Sequence, residues 1–319
     1  MKKTIPIILT VIITITFMVL GLIKGIHLSE NQLQTLKILL IICASSALYC
    51  FIVGEITRNN SQMDKLWSIL PIAYVWVIAI RGQMKLVLVI IAILVTLWGI
   101  RLTFNFARKG AYSLKFWEGE EDYRWVKLRE KKMLKSKFSW ALFDLFFISI
   151  YQNALVLLMT LPTLAIMDDC TSLSLIYLIP IVLASLFLIL EIIADEQQWI
   201  FHKEKKELLS SGKSLEELPS PYNLGFNTTG LWNRFRHPNY LGEQGFWVSI
   251  YLFVLGTSVT HLMFFNWSIV GAMLIVLLFL GSSSFGESVS SSKYPKYQDY
   301  QNKVFKYLPL RKYRNDKGY

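Results

Sequence analysis

Little in this chain can ligate a metal or staple a fold. Three cysteines and four histidines are spread through 319 residues. Cys43 and Cys50 share a helical face but stand about two turns, roughly 10 Å, apart along the axis, which is too far for a disulfide. Cys170 is alone in its region, and no metal-binding spacing occurs. Charge is also scarce. Asp, Glu, Lys and Arg make up 17% of the chain, against about 25% in a soluble domain. A soluble domain of ordinary composition is thereby excluded.

What replaces charge is apolar sequence, 54% of the residues. Runs long enough to cross a bilayer recur along the whole chain. Spanning segments must satisfy their own backbone hydrogen bonds, so the expected fold is all-α, a polytopic transmembrane helix bundle. About eight spans are predicted, near 5–23, 36–54, 66–80, 86–107, 140–166, 174–200, 241–259 and 266–285. The first run follows Lys2 and Lys3 like a signal peptide, but it is long and lacks a small-residue cleavage site, so it reads as a retained span. The third is short and contains Pro71, which predicts a tilt, a kink or a partly interfacial course.

The net charge of +11 does not imply nucleic acid. The basic residues gather in three places: residues 108–137, the linker after the sixth run, and the tail. An eight-span count puts all three on one side with the N-terminus, so both termini are expected to be cytoplasmic. The run at 108–137 reads as a solvated, positive-inside face, with Trp117, Tyr123 and Trp125 as interfacial anchors. Small residues at Gly281-Ser282-Ser283-Ser284-Phe285-Gly286 predict close helix approach or a backbone near a ligand.

The chemistry concentrates in Gly230-Leu231-Trp232-Asn233-Arg234-Phe235-Arg236-His237-Pro238-Asn239-Tyr240-Leu241-Gly242-Glu243. Polar groups within or beside spans are costly and are functional candidates by default. Arg234, Arg236 and Arg101 can fork onto phosphate oxygens. Pro238 suits a helix start. Glu191 and Asp195, one turn apart in the sixth run, can accept from ribose hydroxyls or a carboxamide. Asn239 and Tyr240 both donate and accept, and Tyr240 can give a proton to a carbonyl oxygen. Each residue also has a bland reading. Arg234 and Arg236 can snorkel to headgroups. His237 can be a helix-entry residue, and Glu191 and Asp195 a structural network. Asp144 and Glu287 are open to both readings, Asp144 leaning to structure.

The string Arg236-His237-Pro238-Asn239-Tyr240-Leu241-Gly242-Glu243 resembles the signature of the steroid 5-alpha-reductase-like membrane proteins. Sterol C14 and delta-7 reductases carry a similar string. Further likeness lies in Asp64-Lys65-Leu66-Trp67, in Leu97-Trp98-Gly99-Ile100-Arg101-Leu102 and in Tyr307-Leu308-Pro309. The resemblance implies a bound NADPH, with Asn239, Arg236, His237, Arg234, Asp195, Glu191 and Arg101 as cofactor-binding residues. Tyr240 is the first proton-donor candidate, with Glu243 and Glu55 behind it. The chain departs from the family in the last span and tail, where Phe285 to Lys293 is poor in the basic residues those enzymes bring to the cofactor. The related isoprenylcysteine carboxyl methyltransferases use a similar string for S-adenosylmethionine.

The expectation is an integral-membrane, NADPH-dependent oxidoreductase that reduces a C=C bond of a sterol-like, isoprenoid or fatty-acyl lipid. The alternatives are an S-adenosylmethionine-dependent membrane methyltransferase and a non-catalytic lipid-binding protein. Residues 1–60 are expected as N-terminal transmembrane helices, 61–310 as the catalytic domain and 311–319 as a basic cytoplasmic tail. The expected partners are a membrane lipid substrate and the bilayer, with no nucleic acid. The host is expected to be a bacterial inner membrane or, otherwise, the endoplasmic reticulum.

Overall fold

The computed structural model describes residues 4–23, 25–170, 174–257 and 264–313. Among these residues there is no strand, and the fold is all-helical. The helices are α1 Thr4–Ile23, α2 Glu30–Thr57, α3 Gln62–Trp67, α4 Leu70–Arg81, α5 Leu86–Ala107, α6 Tyr123–Arg129, α7 Lys137–Phe143, α8 Gln152–Ala165, α9 Leu178–Ser210, α10 Pro238–Leu252, α11 Ile269–Lys293 and α12 Tyr297–Lys303. Six helical stretches among the described residues are long and apolar enough to cross a membrane: Glu30–Thr57, Gln62–Arg81, Leu86–Ala107, Lys137–Ala165, Leu175–Ser210 and Ile269–Lys293. The protein is an integral membrane protein by this measure. The run expected at 241–259 forms only the 15 residues of α10 and one 3-10 turn after it. That is shorter than the ~20 residues a hydrocarbon core needs. Residues 258–259 of that run lie outside the described residues, as do residues 314–319 of the expected tail.

Local chemistry sets the helix boundaries. Ser29 and Gln32 form a capping box at the start of α2, which satisfies two orphan amide groups reciprocally. Gln32 also donates through Nε2 to the carbonyls of Leu164 and Ala165 at the end of α8, both at 3.1 Å. The third run breaks between Trp67 and Leu70, and Pro71 stands in the first turn of α4. A proline has no amide hydrogen to lose there, and its φ suits a helix start. Between α7 and α8 the backbone widens into a π-helix, Asp144–Tyr151. Buried Asp144 accepts from Ser149 Oγ at 3.1 Å, five residues on.

α9 is longer than expected. Its 33 residues rise about 50 Å, against about 30 Å for a hydrocarbon core. The surplus is the charged end from His202 to Glu207, which can stand in water.

The chain divides into two compact units. One comprises Met1–Val182 and Trp247–Ile275, the other Leu183–Phe246 and Val276–Tyr319. The core of the first is built by α2, α4, α5 and α8, with Tyr74, Ile78, Ile91, Trp98 and Val156 fully buried. Trp98 meets Trp247 edge to face at 4.9 Å.

The linker at 108–137 is not the freely solvated basic face expected of it. Arg124 holds Asp122 at 2.8 Å and Asp64 at 3.4 Å, and Arg129 holds Glu121 at 2.5 Å. Arg129 also donates to Asn60 Oδ1 at 2.6 Å. Trp125 is not an interfacial anchor. It is 4% exposed, and its Nε1 donates to Asp64 at 2.7 Å. Trp117 and Tyr123, by contrast, are exposed. Lys65, wholly buried, donates to the carbonyls of Phe116 and Glu118, both at 2.6 Å. Acids between the lysines and arginines in sequence were the sign that this segment could fold on itself.

The expected close approach at Gly281 and Gly286 is also not found. A Cβ at either would meet nothing within 4 Å. Tight approaches between α10 and α9 are at Gly242, where a Cβ would stand 2.3 Å from Glu191 Cγ and 3.0 Å from the Phe187 carbonyl, and at Gly245, where it would stand 2.4 Å from the Phe187 ring. α10 can lie on α9 only because both side chains are absent.

Candidate functional site

The second unit assembles most of the motif. Pro238 opens α10, as its missing amide allows. Residues 230–237 run before it as a 3-10 turn and an irregular, bent link, held on both sides. On the α9 side, Leu231 N–H donates to Gln197 Oε1 at 2.8 Å, and Trp232 Nε1 donates to the Ala194 carbonyl at 3.0 Å. On the other side the C-terminal segment clasps it. Arg236 N–H donates to the Phe305 carbonyl at 3.1 Å and His237 N–H to that of Lys306 at 3.3 Å. The Tyr300 hydroxyl donates to the carbonyls of Trp232 and Phe235.

Glu287 is the centre of a nearly buried cluster. Its Oε1 accepts from Arg236 Nε at 2.7 Å and lies 3.0 Å from His237 Nε2. Its Oε2 accepts from Gln301 Nε2 at 3.0 Å and lies 3.7 Å from Lys306 Nζ. Arg236 Nη1 donates onward to the carbonyls of Gln301 at 2.9 Å and Val304 at 2.5 Å. Lys306 also reaches the hydroxyls of Ser283 at 3.0 Å and Ser284 at 3.4 Å. The Ser-rich stretch of the last long helix therefore receives a lysine from the tail. An ionised carboxylate can only accept, so Nε2 of His237 carries the proton.

Arg236 is accordingly tied to protein through Nε and Nη1, two of the three nitrogens that would otherwise fork onto a phosphate. Arg234 is exposed. Burial lowers Lys306 below the ordinary lysine range, and Glu287 offsets part of that.

His237 and Tyr240 stack with centroids 5.2 Å apart and planes 13° off parallel. Tyr240 also packs against Phe279 at 4.7 Å. Burial holds the imidazole below its ordinary value, and Glu287 pulls the other way. The folded chain thus keeps this ring neutral, whereas the unfolded chain protonates it below about pH 6.5. The unfolded state then binds more protons, so stability is expected to fall as pH drops below about 6.5, until the folded group itself titrates. Melting temperatures of the wild type and His237→Gln between about pH 7 and pH 5 check this, with a flatter profile expected for the variant.

Asn239 and Asp195 are brought together, Nδ2 donating to Oδ1 at 3.4 Å. Asn239 Oδ1 is buried and has no hydrogen-bond partner. One turn before Asp195, Glu191 is fully buried where Gly242 crosses α9, and Glu243 is 4% exposed. Beside the motif lies a cavity of about 190 Å³, lined by Gln197, Phe201, Glu204, Tyr222 and Thr229 among others. Arg101 on α5 and Glu55 on α2, both half-buried, belong to the first unit.

Sequence reasoning passed over Lys306, Gln301 and Gln197. Lys306 was counted with the basic tail. Nothing local in the sequence distinguishes it, because its partners, Ser283, Ser284 and Glu287, come from α11.

A family model described as "Protein of unknown function (DUF1295)" matches residues 50–304. An uncharacterized protein of Schizosaccharomyces pombe, C594.04c, is 35% identical over 289 residues, which cover 82% of this chain and 78% of that protein. No solved structure matches the chain. The family match spans the clasp from Arg236 to Val304 and all ten candidate residues, from Glu55 to Glu243, and by it the chain belongs to the DUF1295 family.

Proposed function

We propose that this protein is an integral-membrane oxidoreductase that uses NADPH to reduce a C=C bond in a sterol-like, isoprenoid or fatty-acyl lipid. In this reading about eight segments enter the membrane, both termini are cytoplasmic and the site opens to the cytoplasm. The host is a bacterial inner membrane or the endoplasmic reticulum.

One observation carries the reading. Asn239 Oδ1 is a buried acceptor without a protein donor, and its amide nitrogen is turned to Asp195. A buried carbonyl left unmatched costs free energy, and a ligand N–H or O–H recovers it. The carboxamide and hydroxyls of a nicotinamide nucleotide suit this pair. The resemblance of the motif to the reductase signature supports the same residues.

NADPH, when bound, supplies a hydride. Asn239 and Asp195 orient it, and exposed Arg234 attracts its phosphates. Tyr240, held between His237 and Phe279, gives the proton, with Glu243 and Glu55 as the other donors in this reading.

A second reading draws on the clasp. With Nε and Nη1 of Arg236 on Glu287 and two carbonyls, a cofactor without phosphates would fit the same mouth. That favours S-adenosylmethionine and a membrane methyltransferase. Melting of the purified protein with NADPH, NADH and S-adenosylmethionine side by side separates the readings. A shift with NADPH that disappears in Asn239→Ala is expected. A shift with S-adenosylmethionine alone selects the methyltransferase. No shift with any of the three points to a lipid-binding protein that does no chemistry.

A further inference from the structure

We propose that Lys131, Lys132, Lys135 and Lys137 form a binding surface for the anionic phospholipid headgroups of the leaflet beside them. The inference is independent of the cofactor reading and needs only that the chain spans a membrane.

Four cations of the linker stand in close ion pairs. Lys115, Arg124, Lys127 and Arg129 each hold an acid, at 3.2, 2.8, 3.0 and 2.5 Å. After Glu130 the sequence runs Lys131-Lys132-Met133-Leu134-Lys135-Ser136-Lys137-Phe138 with no acid in it. All four lysines are exposed. So are two large apolar side chains among them, Met133 at 86% and Phe138 at 74%.

The backbone explains why they stand together. Lys132–Leu134 is a single 3-10 turn. Ser136 then caps the next helix, accepting from Ser139 N–H, and that helix begins the candidate span Lys137–Ala165. The cluster is therefore at the mouth of a span, level with headgroup phosphates. Lysines beside bare apolar side chains suit the headgroup–acyl boundary, where the chains enter lipid and the ammonium groups remain at phosphate depth. A basic cluster next to a span is attracted to anionic lipid, each lysine adding about a fivefold preference. A charge bias that only oriented the chain would not need Met133 and Phe138 exposed. A nucleic acid or acidic peptide would use the lysines and leave both apolar side chains in water.

The test uses the full chain in vesicles of phosphatidylcholine alone or mixed with phosphatidylglycerol. Retained lipid is counted by mass spectrometry after transfer to zwitterionic detergent. The wild type is expected to keep phosphatidylglycerol over phosphatidylcholine and to lose that preference as salt rises. Changing all four residues (Lys131→Ala, Lys132→Ala, Lys135→Ala, Lys137→Ala) is expected to weaken it on the order of several hundredfold. The matching arginine changes should keep it, as should Lys203→Ala with Lys206→Ala on α9. A wild type with no headgroup preference or no salt response overturns the proposal, and neither measurement needs a variant to fold. So does an alanine variant that folds and keeps full preference, or a cluster that captures RNA and shows no preference among lipids.

Discussion

Glu287→Ala is expected to destabilise the protein by about 3–5 kcal/mol, the range found when one partner is removed from a buried ion pair. The carboxylate receives Arg236, His237 and Gln301 and faces Lys306. The side chains of Arg236 and Glu287 are only 12% and 9% exposed. Without Glu287, two cations stand next to each other with little water to screen them. Glu287→Gln should lose less, because the amide oxygen still accepts from one neighbour. Pairing Glu287→Leu with Arg236→Met should recover part of the loss, since an apolar pair of similar size removes the uncompensated charge. Thermal melting of the detergent-solubilised protein reads all three. A melting temperature unchanged in Glu287→Ala would show that the clasp contributes nothing to folding.

The second large effect is expected at Gly242. Alanine there places a Cβ 2.3 Å from Glu191 Cγ and 3.0 Å from the Phe187 carbonyl. Overpacking of this kind costs about 1–3 kcal/mol, and Gly242→Leu is expected to give no folded protein. Glu191→Ala should rescue Gly242→Ala in part, because the side chain can be removed and the Phe187 carbonyl cannot. Gly281→Ala is the control. It sits inside α11 with nothing within 4 Å of the new carbon, so it is expected to be neutral or to stabilise by up to about 1 kcal/mol. Melting temperatures of Gly242→Ala and Gly281→Ala that move together would overturn this account of how α10 meets α9.

Much of the helical framework was legible in advance because hydropathy is local. The runs at 86–107 and 140–166 became Leu86–Ala107 and Lys137–Ala165 nearly as drawn. Pro71 marked a break that does occur. Boundaries failed where polar chemistry extends a helix past the lipid. α9 continues beyond 200 because His202 to Glu207 are as helical as the apolar run before them, only wetter.

The site was legible residue by residue and not as an arrangement. Asn239 and Asp195 were both singled out, and they meet at 3.4 Å. Arg236 and Glu287 were singled out separately, one as a phosphate ligand and the other without a role. Their pairing assigns part of Arg236 to holding the C-terminal segment. Trp125 was misplaced for the same reason. An aromatic residue among lysines looks interfacial until Asp64, 61 positions earlier, takes its indole N–H.

From sequence alone this chain had to be helical and membrane-embedded. Its apolar runs are continuous, and a backbone in lipid must bond within its own segment. The concentration of polar chemistry at residues 234–243 was equally plain, since rare residues crowded beside an apolar run need no fold to be noticed. Tertiary structure alone decided which of those groups face a carboxylate and which face open space. That depends on contacts such as Gly242 on Glu191 and Lys306 on Ser283, between residues 51 and 23 positions apart. Periodicity carries no information over such distances; helix packing sets them, and packing responds to the absence of a single Cβ.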